Sequence, residues 1–126
     1  MRKTDLAAPW DSNRGTTAVE FALIAPVLIL LIVGILYLCI ALFVAASMYY
    51  AVEEAARCAS VRTSICPNAS ATIAYAQSRY FALGAHPAFT FAAAPCGNAV
   101  SASLNYVMDL GLTSVIVPIS ATACYP

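Results

Sequence analysis

Charged side chains are scarce in this sequence. Only 10% of its 126 residues are Asp, Glu, Lys or Arg, against about a quarter in a typical soluble domain. The basic and acidic residues number six each and cancel to a net charge of zero, and no basic stripe with interleaved aromatic residues occurs. Because nucleic-acid binding depends on Lys and Arg that neutralise phosphates, we expect no nucleic-acid partner.

Residues that commonly carry catalysis or bind metals are also few. The single histidine, His86, lies between Ala85 and Pro87 in a predicted loop, and Asp109 lies in a predicted turn. The sequence has no Cys-x-x-Cys pair, nucleophile elbow, phosphate-binding glycine loop or carboxylate pair. We therefore expect a protein that is not an enzyme and that has neither a metal site nor a cofactor.

The cysteines divide by position. Cys39 lies within a long apolar run, and the other four lie beyond it: Cys58, Cys66, Cys96 and Cys124. An even number of cysteines in a small polar region predicts two disulfides formed in an oxidising compartment. The sequence leaves all three connectivities open. We expect Cys58–Cys66, which closes a short local loop, and Cys96–Cys124, which ties the last strands together; metal binding is the less favoured alternative.

The apolar run, residues 21–52, contains no charged side chain, in a chain whose mean hydropathy is +0.81. At ~1.5 Å per residue a helix of this length reaches ~48 Å, against ~30 Å of bilayer hydrocarbon. A cleaved signal peptide is the alternative, but its apolar core has only ~7–15 residues. We predict a retained membrane helix that projects beyond the lipid to about Ser60.

The start of this helix carries a recognisable pattern. The string RGTTAVEFALIAPVL (residues 14–28), together with AASMYYAVEEAAR (residues 45–57), resembles the TadE-like minor pseudopilins of the tight-adherence (Tad or Flp) pilus machinery. Gly15 is followed by four small or apolar residues and then by Glu20 and Phe21, as at a type IV prepilin processing site. Thr16 stands where classical type IV pilins have phenylalanine.

The resemblance implies a membrane prepilin peptidase that cuts after Gly15, so that Thr16 becomes the mature N-terminus. Glycine lets the protease approach the backbone closely. The new α-amino group is largely protonated at neutral pH, and Glu20 lies four residues further along the same helix face. Pairing of the amine with Glu20, within or between subunits, offsets the cost of placing either charge in lipid. The implied roles are processing for Gly15, Thr16 and Glu20, and assembly for Glu20 and Phe21.

The same resemblance implies the partners and the compartment. Expected partners are the prepilin peptidase, other pilins and pseudopilins, Tad inner-membrane assembly proteins and membrane lipid. Three Lys or Arg residues precede the apolar run and two follow it closely, which favours a cytoplasmic N-terminus. We expect a single-pass protein of the bacterial inner membrane with a periplasmic C-terminal domain. The sequence leaves open whether it stays there or enters the fibre.

We therefore predict an α+β protein with three parts: a leader (residues 1–15), a transmembrane and projecting helix (16–60) and a small disulfide-linked domain (61–126). In the domain, Asn68 or Ser70 caps a second helix that runs to about Leu83, with Gly84 as its stop. Apolar residues then alternate with polar ones, which predicts a three-stranded antiparallel meander. Pro118 places the last strand at an edge or a bulge.

Two functions fit these features. The first is a processed minor pseudopilin that takes part in assembly of a Tad/Flp pilus. The second is an unprocessed, single-pass anchored domain that is exported and binds another envelope protein. A major pilin is disfavoured because Flp-type major pilins, by resemblance, are little more than a helix.

Overall fold

The computed structural model describes residues 12–81, 84, 86–109, 111 and 113–126, with side chains from Gly15 onward. Its elements are two helices, α1 (Ser12–Val61) and α2 (Ala69–Arg79), followed by three strands, β1 (Ala88–Ala94), β2 (Gly97–Asp109) and β3 (Ser114–Tyr125). The chain divides into two compact units, Met1–Leu36 and Tyr37–Pro126. The predicted α+β fold, with one long helix, one short helix and a three-stranded antiparallel sheet, is confirmed.

Helix α1 is apolar along most of its length and contains Pro26. It begins at Ser12, so residues 12–15 of the predicted leader are helical, while residues 1–11 lie outside the described residues. It ends one residue beyond the expected Ser60.

The second half of α1 has one buried face. Val44, Met48 and Val52 are at most 1% exposed, and their spacing of four residues places them on the same side of the helix. Complete burial of each such side chain contributes ~1.5–3 kcal/mol. The other buried α1 residues are Ser47, Ala51, Ala55, Ala56 and Cys58. This half of α1 therefore supplies much of the core of the second unit.

Helix α2 starts as expected and ends early. The Asn68 side chain caps it by accepting a hydrogen bond from the Ala71 N–H at 2.9 Å, a common way of satisfying an unpaired amide at a helix start. The predicted end near Leu83 is wrong, because α2 ends at Arg79 and the backbone is extended at Tyr80. Leu83 itself lies outside the described residues.

The sheet has the order β1-β2-β3, and both pairings are antiparallel. Along β2, Val100 and Ala102 are buried and Leu104 and Tyr106 are half-buried, while Ser103, Asn105 and Val107 between and beyond them are exposed. This is the predicted alternation of a strand with one face on the core. Strand β3 lies at the edge of the sheet, the position expected from Pro118.

Three chain segments meet near the start of β2. The Asn98 Nδ2 donates to Ser60 Oγ at 2.9 Å, and Ser60 Oγ donates to the Tyr125 carbonyl at 3.0 Å. Gly97 has a φ of +123°, and a Cβ at this position would clash with the backbone oxygen of Tyr125. Glycine is therefore required where β2 begins.

Two disulfides stabilise the second unit, and they are the pairs expected from the sequence. Cys58–Cys66 joins the last turn of α1 to the loop before α2, and Cys96–Cys124 joins the β1–β2 turn to β3. Their sequence separations are 8 and 28 residues. Cys39 is a free, exposed cysteine.

The two disulfides are expected to contribute unequally to stability. In the chain-entropy description, closing the longer loop stabilises by ~3–4 kcal/mol and closing the shorter loop by ~2–3 kcal/mol. Replacing Cys96 and Cys124 by serine should therefore lower the free energy of unfolding, measured by urea titration in detergent, more than the same change at Cys58 and Cys66. The matched control is Cys39→Ser, which should leave stability unchanged; equal effects of the two pairs would contradict the expectation.

Tyr80 is a polar residue whose hydroxyl is buried. The hydroxyl has no hydrogen-bond partner among the described residues, and the ring lies edge-on to Phe89 with centroids 6.2 Å apart. Burial raises the pKa of Tyr80 above its ordinary 10.0, because the charged form is disfavoured away from water.

Tyr80→Phe is expected to stabilise the protein. The substitution keeps the ring contact and removes a hydroxyl whose unpaired burial costs ~1 kcal/mol or more. Because the folded-state pKa is raised, ionisation of the hydroxyl destabilises the fold further: stability is retained below pH 10.0 and falls as the pH rises through the folded pKa. The variant should therefore gain ~1 kcal/mol in urea unfolding at neutral pH and lose less stability at alkaline pH. Tyr75→Phe is the control, since the Tyr75 hydroxyl accepts a bond from Arg62; an equal gain in both variants would contradict this explanation.

Candidate functional site

The residues expected to carry processing and assembly lie together at the start of α1. Gly15, Thr16, Glu20 and Phe21 are all helical and exposed. The peptide bond between Gly15 and Thr16 lies inside the helix, since α1 begins at Ser12. A protease that binds extended backbone would therefore have to unwind the first turn, where hydrogen bonds to the preceding residues are fewest.

Gly15 is not required by the fold. A Cβ added at this position would meet nothing within 4 Å. Glycine within a helix costs roughly 0.5–1 kcal/mol relative to alanine. The fold itself therefore does not require glycine at this position. Close approach of another molecule to the backbone would explain it.

Within the described part of α1, Glu20 is the first carboxylate, and the residues directly beside it in sequence are apolar. Its neighbours Val19 and Phe21 are 62% and 71% exposed, and the next acidic residue towards the C-terminus is Glu53. Thr16 lies one turn before Glu20, ~6 Å along the axis at ~1.5 Å per residue. A chain that began at Thr16 would carry a cationic amine in the first turn of the helix, with Glu20 on the same face to compensate it.

The first unit is an apolar helix with no packing partner among its described residues. From residue 15 to residue 36 every side chain is exposed except Ala25, which is half-buried. Such a stretch spans ~33 Å at ~1.5 Å per residue, close to the ~30 Å of bilayer hydrocarbon. Within the described residues, α1 from Gly15 to Val61 is the one helix long and apolar enough to cross a membrane.

The second unit carries an open cleft that the sequence did not indicate. It has a volume of about 330 Å³ and is lined by Tyr50, Glu53, Glu54, Arg57 and Tyr125. All of these side chains are exposed except Glu54, which is half-buried. Catalytic acids and bases are usually tuned by burial and close partners, and this cleft offers an open, charged surface instead.

The other expected site residues are held in the domain. Cys58, Cys66, Cys96 and Cys124 are paired in disulfides, so their sulfurs are not free thiolates for a metal. No group of three or more His, Cys, Asp or Glu residues that could hold a metal ion occurs within the part of the chain that the structure describes. His86 is exposed.

Comparison with known proteins gives one match. The family model described as TadE-like protein matches residues 15–57, from the glycine at the expected cleavage position to Arg57, near the end of α1. Neither a curated protein nor a solved structure matches the chain. The match covers about a third of the length, and the domain from α2 onward lies outside it. The resemblance expected from the sequence is confirmed: over residues 15–57 the chain is similar to the TadE-like family.

Proposed function

We propose that this protein is a minor pseudopilin that takes part in assembly of a Tad/Flp-type pilus and is cut after Gly15 by a prepilin peptidase. The observation that carries the proposal is the exposed, TadE-like start of α1. There Gly15, which the fold does not require, and the carboxylate of Glu20 lie five residues apart, at the boundary between a polar leader and an apolar helix. The protein is a structural component and not an enzyme.

The membrane anchor in this proposal is the exposed part of α1. Residues 16–36 match the thickness of the hydrocarbon core, and a helix that is apolar on all sides is stable only when it is buried in protein or lipid. The leader carries Arg2, Lys3 and Arg14 and stays in the cytoplasm. The domain with its two disulfides lies in the periplasm, where disulfides form.

Cleavage gives Glu20 its role. The new amine at Thr16 and the Glu20 carboxylate carry opposite charges at the lipid boundary, where an unpaired charge is costly. Pairing between the amine of one subunit and Glu20 of a neighbour favours one register of packing. The neighbours are other pilins and pseudopilins, and Tad inner-membrane proteins hold the subunits during assembly. Phe21 lies next to the carboxylate and is 71% exposed, so it is available for helix packing.

Mapping of the mature N-terminus tests this function most directly. The protein is extracted from membranes of a strain with an active prepilin peptidase and of a strain without it. We expect intact mass and N-terminal sequencing to give a start at Thr16 in the first strain and an uncut leader in the second. An uncut leader in both strains would refute the proposed function.

The alternative is an unprocessed anchored domain that binds an envelope partner. The open cleft beside α1 favours it, because its lining includes Tyr50, Arg57 and Tyr125, and tyrosine and arginine are enriched where proteins meet. It predicts that the leader is retained and that changes at Gly15 have no effect, and the N-terminal mapping therefore separates the two functions.

A further inference from the structure

Strand β3 has a free edge along residues that neither proline nor charge protects. The sheet order β1-β2-β3 leaves one side of β3 without a partner strand. Proteins usually protect such an edge with charged side chains or proline, since it can pair with another chain. The strand contains no charged residue, and its one proline is Pro118. Residues 119–125 therefore carry neither kind of protection.

The position of Pro118 indicates which backbone groups point to this edge. Successive residues of an antiparallel strand direct their N–H and C=O groups alternately to the partner strand and away from it. Proline has no N–H and fits where that group would face away from the partner strand. The alternate residues Ser120, Thr122 and Cys124 share its orientation. In agreement, the hydroxyls of Ser101 and Thr122 are 3.1 Å apart, as in a cross-strand pair that exchanges no backbone hydrogen bonds and whose side chains lie closer together. We refer to the outward N–H and C=O groups of these three residues as the open edge.

Two clefts lie beside the open edge, between β3 and α1. The first is the cleft described above, which includes Glu53 and Tyr125 in its lining. The second has a volume of about 280 Å³, shares these two residues with the first, and is further lined by Tyr49, Ala56, Thr122, Ala123 and Cys124. Because α1 packs on the core face of the sheet, every second side chain of a strand added at the open edge would point towards these clefts.

The clefts carry an excess of negative charge. Two carboxylates, Glu53 and Glu54, and one guanidinium, Arg57, line them. Glu53, which borders both clefts, forms no ion pair within the described residues. A cation from outside the chain would therefore find an available carboxylate next to the open edge.

We propose that the open edge takes up an extended segment of another protein as a fourth strand, with a Lys or Arg side chain of that segment beside Glu53. In this mode of recognition the backbone hydrogen bonds give affinity, and the sites for alternate side chains give specificity. The stems of Lys and Arg also pack well on aromatic rings, which Tyr49, Tyr50 and Tyr125 supply around Glu53. The inference goes beyond the proposed function and does not depend on removal of the leader.

A second copy of this chain fits the open edge less well. The strands at the two edges of its sheet, β1 and β3, contain no Lys or Arg, so neither would place a cation beside Glu53. A different protein with a basic, extended segment suits both the backbone and the charge.

Peptide selection on the full chain in detergent micelles tests the proposal. Short random peptides displayed on phage are selected against the purified protein, and the enriched peptides are synthesised for Kd measurement by fluorescence anisotropy. We expect enrichment of Lys or Arg, depletion of proline, and protection of the Thr122 amide from hydrogen exchange in the complex. Methylation of one alternating set of peptide nitrogens should abolish binding, whereas methylation of the other set should not, because only one set faces the open edge.

Two variants of the protein have matched controls. Thr122→Pro removes one outward N–H and should raise the Kd about tenfold. Ser114→Pro makes the same kind of change at the first residue of β3, away from the clefts, and should leave the Kd unchanged. Glu53→Gln should raise the Kd about fivefold at low salt, whereas Glu20→Gln, on the same helix, should have no effect.

Failure to select any peptide, enrichment of acidic peptides, or equal Kd values for Thr122→Pro and Ser114→Pro would overturn the proposal. A dimer of the full chain in analytical ultracentrifugation that Thr122→Pro converts to a monomer would assign the open edge to a second copy and also overturn it. The methylated peptides are tested on the unaltered protein, so a folding defect in one variant leaves the test valid.

Discussion

Glu20→Lys is expected to leave cleavage after Gly15 nearly intact and to abolish pilus assembly. Two opposite unit charges ~4 Å apart attract by roughly 4 kcal/mol at an effective dielectric constant of ~20, and the substitution turns this attraction into a repulsion of similar size. Burial of an unpaired cation in lipid adds ~2.5–3.5 kcal/mol at the helix centre and less near its end. Processing is measured by intact mass of the membrane-extracted protein, and assembly by the yield of pili sheared from cells.

Two variants serve as controls for this charge reversal. Glu20→Asp keeps the charge and should retain part of the pilus yield. Glu53→Lys reverses an exposed carboxylate on the same helix, in the second unit, and should leave the yield unchanged. Normal pili in the Glu20→Lys strain would contradict the role of this carboxylate in assembly, whatever the state of the leader.

Gly15→Val is expected to block removal of the leader without harming the fold. The added side chain meets nothing within 4 Å in the protein itself, so its effect arises where the peptidase approaches the backbone. A loss of ~100-fold or more in the cleavage rate corresponds to about 2.7 kcal/mol at ~1.36 kcal/mol per tenfold. The measurement is a time course of leader removal after pulse labelling.

Gly34→Val is the matched control for Gly15→Val. Gly34 lies in the same helix, and a Cβ at this position also meets nothing within 4 Å. Both substitutions therefore make the same chemical change at an exposed glycine of α1, and only the one at Gly15 should slow cleavage. Equal cleavage rates in the two variants would show that Gly15 is not part of a processing site.

The main elements of the fold could be predicted because their signals are local. The charge-free residues 21–52 indicate a helix of membrane-crossing length, and alternation along Val100, Ala102 and Leu104 indicates a half-buried strand. The early end of α2 had no such signal. The Phe81 N–H donates to Ser47 Oγ at 2.8 Å, a contact between residues far apart in sequence that draws the chain out of the helix.

The candidate site at the start of α1 also depends on local sequence, and its role stays a prediction. Gly15, Thr16, Glu20 and Phe21 are consecutive or nearly so on one helix, and their proximity requires no tertiary folding. The contact between α1 and the end of β2 is different, because the hydrogen bond from Tyr37 to Asp109 joins residues 72 positions apart. The hydropathy of α1 also did not show which residues pack on the sheet, since lipid-facing and core-facing side chains are equally apolar.

The placement of Val44, Met48 and Val52 in the core of the second unit has a practical consequence. These core residues belong to α1 (Ser12–Val61), the helix that also contains the exposed apolar residues 15–36. A water-soluble fragment for crystallography has to keep α1 from about Tyr37, because a cut after Val61 removes half of the interior.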